Sequence, residues 1–128
     1  MMAPLRLLLD THVFLWWKLE DPRLAGAGQE AISRADVVFV SAASAWEVAI
    51  KQRLGKIRIQ ADFRAGVEES GFLRLPVGFE HAEEVGRLPD IHRDPFDRML
   101  VAQARVEGLT LVSHDRQVAD YEVGILSV

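Results

Sequence analysis

The sequence predicts an α/β fold, a central and mostly parallel β-sheet covered on both faces by helices. Three observations predict it. Short apolar or β-branched runs recur along the chain, as buried parallel strands require. Stretches with helical spacing separate them. Acidic residues stand where the strand runs give way to helices, the edge at which parallel α/β folds build their sites.

The elements follow in order. Leu5 to Leu9 is the first strand and is stopped by Asp10, after which Thr11 to Leu19 reads as a helix. Asp21-Pro22 marks a turn, Gly28 to Ala35 a second helix, and Val37 to Val40 the second strand. In Ala42 to Ile57 the residues Trp46, Ile50, Leu54 and Ile57 share one helical face, which the spacing predicts to be the buried stripe. Asp62 to Ser70 and Glu80 to Leu88 are shorter amphipathic helices on either side of a third strand at Phe72 to Leu75. Pro95 to Glu107 puts Met99, Ala102 and Val106 in one stripe, with Gly108 as its stop. Thr110 to Val112 is the fourth strand, and Gly124 to Val128 holds a short fifth.

Length and composition narrow the function. A chain of 128 residues, 49% hydrophobic and 27% charged, can bury one core, so a single domain over residues 1–128 is expected. A net charge of −4 excludes a protein that coats nucleic acid by bulk positive charge. Without cysteine there is neither a disulfide nor a thiolate metal site, which fits a reducing cytosol and a cytoplasmic protein. The apolar run before Asp10 is too short for the core of a signal peptide, and no segment approaches the roughly 18 apolar residues of a membrane span.

Four acids mark the candidate site: Asp10, Glu47, Asp97 and Asp115. Asp10 and Asp115 end strands, while Glu47 and Asp97 lie near helix starts, so in a parallel sheet all four fall at one end. Each also has a local explanation. Asp10 and Asp115 fit N-caps, with the side chain on a free backbone N–H. Asp94 before Pro95 fits an N-cap, which makes Asp97 a first-turn acid favoured by the helix dipole. Ser44 and Glu47 match a capping box, unless Ser41 starts the helix and leaves Glu47 one turn inside, at the border of the buried stripe. Together, four like charges at one edge would repel unless a cation binds, and Mg²⁺ prefers such oxygen ligands.

The chain resembles the PIN-domain ribonucleases, and within them the VapC-like toxins of type II toxin–antitoxin systems. The blocks that carry the resemblance span nearly the whole chain. They are Leu8-Leu9-Asp10-Thr11-His12-Val13-Phe14-Leu15-Trp16-Trp17, Ser41-Ala42-Ala43-Ser44-Ala45-Trp46-Glu47-Val48-Ala49-Ile50-Lys51, His92-Arg93-Asp94-Pro95-Phe96-Asp97-Arg98-Met99-Leu100-Val101-Ala102-Gln103-Ala104 and Leu111-Val112-Ser113-His114-Asp115. Each block is modest alone, but their order and spacing are specific. The resemblance implies a PIN-like three-layer α/β/α sandwich with catalytic and metal-binding acids at Asp10, Glu47, Asp97 and Asp115. Asp97 is preferred over Asp94 because the family's acid stands just before the apolar helical run. It further implies an endoribonuclease that uses Mg²⁺, or Mn²⁺, to activate water against RNA phosphodiesters, leaving a 5′-phosphate and a 3′-hydroxyl. A cognate antitoxin and a homodimer are the implied partners.

Other residues near these blocks admit two roles each. His12, His92 and His114 could act as general bases or as hydrogen-bonding surface groups. Lys51, Arg93, Arg98 and Arg116 could hold RNA phosphates or balance charge. Thr11 could place a hydroxyl near the metal or pack its helix. Trp16 and Trp17, about 100° apart on a helix, read as one core residue and one half-buried neighbour, or as a core residue and a docking anchor. Rival functions fit less well. A receiver-like signalling domain wants an acidic pair after the first strand and a Lys after the last, and a haloacid-dehalogenase-like phosphatase wants an acid where His12 stands. A catalytically silent PIN-like binding module differs only in activity.

Overall fold

The computed structural model describes residues 4–59 and 62–128. The apolar run of the first strand takes the centre of the sheet. Among the described residues five strands are ordered β3-β2-β1-β4-β5, and every pairing is parallel. They are β1 (Arg6–Leu9), β2 (Val37–Ser41), β3 (Leu73–Leu75), β4 (Thr110–Ser113) and β5 (Ile125–Ser127). Leu7, Leu8 and Leu9 are all fully buried, because β1 has helices over both faces; this is why its sequence is an unbroken apolar run. The order also separates this sheet from the receiver-like arrangement 2-1-3-4-5.

Six helices among the described residues alternate with the strands: α1 (Thr11–Lys18), α2 (Ala27–Arg34), α3 (Ala42–Arg53), α4 (Phe63–Glu69), α5 (Phe79–Arg87) and α6 (Pro95–Glu107). Side chains of β1 alternate between two cores. Leu7 and Leu9 pack with Phe14, Trp16, Ile32 and Val67 from α1, α2 and α4. Leu8 packs with Leu100, Val101 and Ala104 of α6 and with Leu88 beyond α5. The result is the expected α/β/α sandwich. Trp16 is in the core and Trp17 half-buried, the first of the two readings.

The local stop signals hold. Asp21 caps a 3₁₀ turn at Pro22–Leu24, Asp62 caps α4, and Asp94 caps α6 ahead of Pro95. Gly108 ends α6 at φ 67°, a left-handed conformation that costs glycine little.

Two helical stripes differ from expectation. Trp46, Ile50 and Leu54 do share one face of α3, but that face is open, with Trp46 64% and Leu54 63% exposed. Ile57 lies beyond the helix, which ends at Arg53. The buried face carries Ala43, Ser44, Glu47 and Val48. Small residues there let α3 approach α1 closely, and hydrogen bonds to Thr11 fix that side inward. On α6 the buried residues are Leu100 to Ala104, whereas Met99 is half-buried and Val106 is 41% exposed.

Candidate active site at the carboxyl edge of the sheet

Strand register sets the site. Leu9 pairs with Val40 on one side and with Val112 on the other. The chains therefore leave the sheet level with one another, at Asp10, Ser41 and Ser113, and all three turn outward at the same edge. Two of these exits are also caps, Asp10 for α1 and Ser41 for α3. Ser41 Oγ accepts from Ala43 N–H at 3.0 Å, so Ser41 rather than Ser44 starts α3 and Glu47 stands one turn inside the helix.

Asp10 both caps and points into the edge. Its Oδ1 accepts from Val13 N–H at 2.8 Å. Its Oδ2 accepts from Ser113 Oγ at 2.8 Å and from His114 N–H at 3.2 Å. Burial pushes the Asp10 carboxyl above the ordinary carboxylate range, against the pull of these donors. Glu47 is 5% exposed, so the expectation of a border acid is corrected. The Thr11 hydroxyl donates to its Oε1 at 2.6 Å and lies 3.0 Å from Ser44 Oγ, while Lys51 Nζ donates to Oε2 at 2.6 Å.

Asp97 and Asp115 approach from the other side. Asp115 caps a 3₁₀ turn at Arg116–Asp120, its Oδ1 accepting from Gln117 N–H at 2.8 Å. Its Oδ2 lies 2.8 Å from His92 Nε2, and Asp97 Oδ2 lies 3.1 Å from the same nitrogen. Burial, then the charges of Asp94 and Asp10, push the Asp97 carboxyl up to about 7, with Glu47 adding to the rise and His92 opposing it. Burial also raises Asp115, but hydrogen bonds from Gln117 N–H and His92 outweigh it and hold that carboxyl below its usual range. Asp94 caps α6 through one oxygen, Oδ1 accepting from Phe96 N–H at 2.8 Å and Asp97 N–H at 3.2 Å.

All four predicted acids line one cleft of about 530 Å³, together with Asp94, Thr11, His12, Lys51, His92, His114 and Arg116. The donors on offer are carboxylate oxygens, with the imidazoles of His12, His92 and His114 beside them. Such a set suits a hard divalent cation, which would offset the burial and the neighbouring carboxylates that raise Asp97. Asp97, Asp115 and His92 each bring one potential ligand atom within 4.8 Å of the others. A larger groove of about 920 Å³ runs along β3 and α4, lined by Phe39, Phe63, Phe72 and Leu75. It holds no buried titratable group, so reaction chemistry belongs to the smaller, acidic cleft.

The flanking residues sort themselves. Lys51 and Arg116 are in the cleft and Arg93 is outside it. Arg98 serves neither expected role. Its guanidinium donates to the backbone carbonyls of Val85, Leu88, Pro89 and His92, at 2.9 to 3.4 Å, and lies 3.3 Å from Tyr121 Oη. His12 is exposed at the rim, and His114 packs edge-on against Trp16, with ring centroids 4.9 Å apart. Ser113 and Tyr121 were missed by sequence reading. Ser113 carried a signal, standing at the strand end level with Asp10; Tyr121, the chain's one tyrosine, carried none.

The sequence model of the PIN domain family matches residues 7–124. The chain is 30% identical over 125 residues to Ribonuclease VapC22 of Mycobacterium tuberculosis, covering 89% of this chain and 90% of that one. Its fold is similar to VapBC2 from Rickettsia felis, solved bound to a fragment of promoter DNA, with TM-score 0.71 at 12% identity, covering 94% and 97% of the two chains. A toxin–antitoxin complex from Klebsiella pneumoniae is similar at TM-score 0.66 and 16% identity, covering 94% and 95%. With the three-layer sandwich and its acidic edge, these likenesses identify the chain as a member of the PIN domain family.

Proposed function

We propose that this chain is a metal-dependent endoribonuclease, the toxin of a toxin–antitoxin pair, acting in the cytoplasm as one domain over residues 1–128. The observation that carries the reading is the convergence of four carboxylates from separate elements in one cleft, where burial and then the charges of Asp94, Asp10 and Glu47 push Asp97 up to about 7. The name of the ribonuclease relative and the toxin–antitoxin complexes among the structural neighbours support the substrate class and the biology.

Asp10, Glu47, Asp97 and Asp115 hold the cation, Mg²⁺ or Mn²⁺. When bound, it supplies an activated water and charge stabilisation for phosphodiester hydrolysis. The chain's own contribution is placement. Ser113 Oγ and His114 N–H orient Asp10, and Thr11 orients Glu47. Lys51 and Arg116 add positive charge at the cleft, where an RNA phosphate approaches an otherwise acidic surface.

The open face of α3 supports protein partners. Trp46, Ile50 and Leu54 form an apolar stripe of the kind that interfaces bury, and Trp46 stacks edge-on with Phe96 beside the cleft. We assign the partners as an antitoxin and a second copy of this chain.

Incubation of the purified chain with RNA tests the reading. Cleavage that needs added Mg²⁺ and stops with a chelator is expected, as is a co-expressed antitoxin that suppresses it. No cleavage with Mg²⁺ or Mn²⁺ across varied RNAs would leave a silent binding module. Robust growth of cells making active protein alone would remove the toxin role and keep the nuclease.

A further inference from the structure

His92 lies on the loop between α5 and α6 and is fixed at every polar atom. Its backbone N–H donates to Tyr121 Oη at 2.8 Å, and its carbonyl accepts from Arg98 Nη1 at 3.4 Å. Its ring Nδ1 accepts from Asp94 N–H at 3.1 Å. The remaining atom, Nε2, sits 2.8 Å from Asp115 Oδ2 and 3.1 Å from Asp97 Oδ2. The same Arg98 pins the rest of the loop through the carbonyls of Val85, Leu88 and Pro89.

The bond from Asp94 decides the tautomer. A backbone N–H can only donate, so Nδ1 presents its lone pair and the proton of the neutral ring sits on Nε2. A protonated Nε2 donates to Asp115 and turns its positive edge to Asp97, and it has no lone pair left for a metal ion. Proximity to the two acids therefore does not make His92 a ligand, although its distances alone would allow it.

Asp115 depends on this contact. It stands on a short 3₁₀ turn outside the sheet, its side chain is 38% exposed, and its other oxygen is turned to the backbone of Gln117. We propose that His92 is a positioning residue: a fixed N–H donor that holds Asp115 beside Asp97 at the spacing a divalent cation needs, without coordinating the cation. This rests on reading the acids as a cation site. Donors that orient ligating carboxylates typically contribute about 10–100-fold in metal affinity.

Titration of the purified full chain with Mn²⁺ alone, by calorimetry, tests the role. His92→Phe keeps the ring and removes the donor, and His92→Gln restores an N–H at similar reach. Mn²⁺ affinity should fall about 10–100-fold in His92→Phe and largely return in His92→Gln. Pulsed electron paramagnetic resonance of the Mn²⁺-loaded parent should show no directly coordinated nitrogen, a readout that needs no variant to fold. Unchanged affinity in His92→Phe, no rescue in a folded His92→Gln, or a coordinated imidazole nitrogen in the parent would each overturn the proposal. A parent that binds no Mn²⁺ would overturn the cation site itself, an outcome separate from these three.

Discussion

The two halves of the acidic cleft are built differently. On the sheet side, Asp10 and Glu47 are each 5% exposed and take hydrogen bonds from Val13, His114, Ser113 and Thr11, all on or next to core elements. On the loop side, the Asp97 and Asp115 side chains are 21% and 38% exposed and meet at one histidine of a loop. The fold itself orients the sheet-side pair, because register and caps already place those oxygens. The loop-side pair is less constrained, and its carboxyls diverge: burial and then neighbouring carboxylates push Asp97 up to about 7, while hydrogen bonds from Gln117 N–H and His92 outweigh burial and hold Asp115 below its usual range. The sheet side is thus the more rigid half, and the loop side carries the more exposed pair of carboxyls.

The sharpest way to break this comparison is at the first turn of α6. Asp97→Asn is nearly isosteric and should reduce RNA cleavage by about 10²–10³-fold, the range seen when one group that stabilises developing charge is removed. Asp94→Asn keeps a good cap, since Asn serves at that position nearly as well as Asp, and should retain measurable cleavage. Initial rates on one RNA decide it. A dead Asp94→Asn beside an active Asp97→Asn would reverse the assignment of the third acid.

The sheet side is tested through stability. Thr11→Val keeps the shape and deletes the hydroxyl that donates to buried Glu47, so about 1–3 kcal/mol should be lost, as for a buried acceptor left without its donor. Urea denaturation reads this directly. A loss below a few tenths of a kcal/mol would mean that Lys51 alone holds Glu47.

A smaller effect reads Asp97 by pH. Asp97 has a folded-state value of about 7, above its ordinary 3.8, so between these values the folded state binds the proton more readily than the unfolded chain. Its contribution is fully present below about pH 4 and is lost as pH rises through about 7. Without metal, the melting temperature of the parent should lose this increment across that window relative to Asp97→Asn, which has no titrating group there. Parallel pH profiles for the two proteins would place the charge strain elsewhere.

How far the sequence could lead is clear from particular residues. Caps and stops were legible because their physics is local: Asp94 before Pro95, Asp10 after three leucines, Gly108 after α6. The four acids were legible as one edge because a parallel sheet brings every strand end together. The open face of α3 was not. Periodicity reports that Trp46, Ile50 and Leu54 share a face, but which face is covered depends on Thr11, 36 residues from Glu47 in the chain. Arg98 looked like a phosphate ligand because its neighbours are acids, yet its acceptors are backbone carbonyls, which leave no trace in side-chain spelling. His92 was legible as a hydrogen-bonding histidine, whereas its partners follow only from the loop's path.

The central claim is that the two halves form one cation site, and thermal melting with and without Mg²⁺ tests it most directly. Mg²⁺ should raise the parent's melting temperature following RT ln(1 + [Mg²⁺]/Kd), because it binds the folded chain alone. Asp10→Asn, on the sheet side, should lose most of the Mg²⁺ response, while Glu68→Gln, on the exposed surface of α4, should keep it. A Mg²⁺ response unchanged in Asp10→Asn, or equally lost in Glu68→Gln, would contradict a single site.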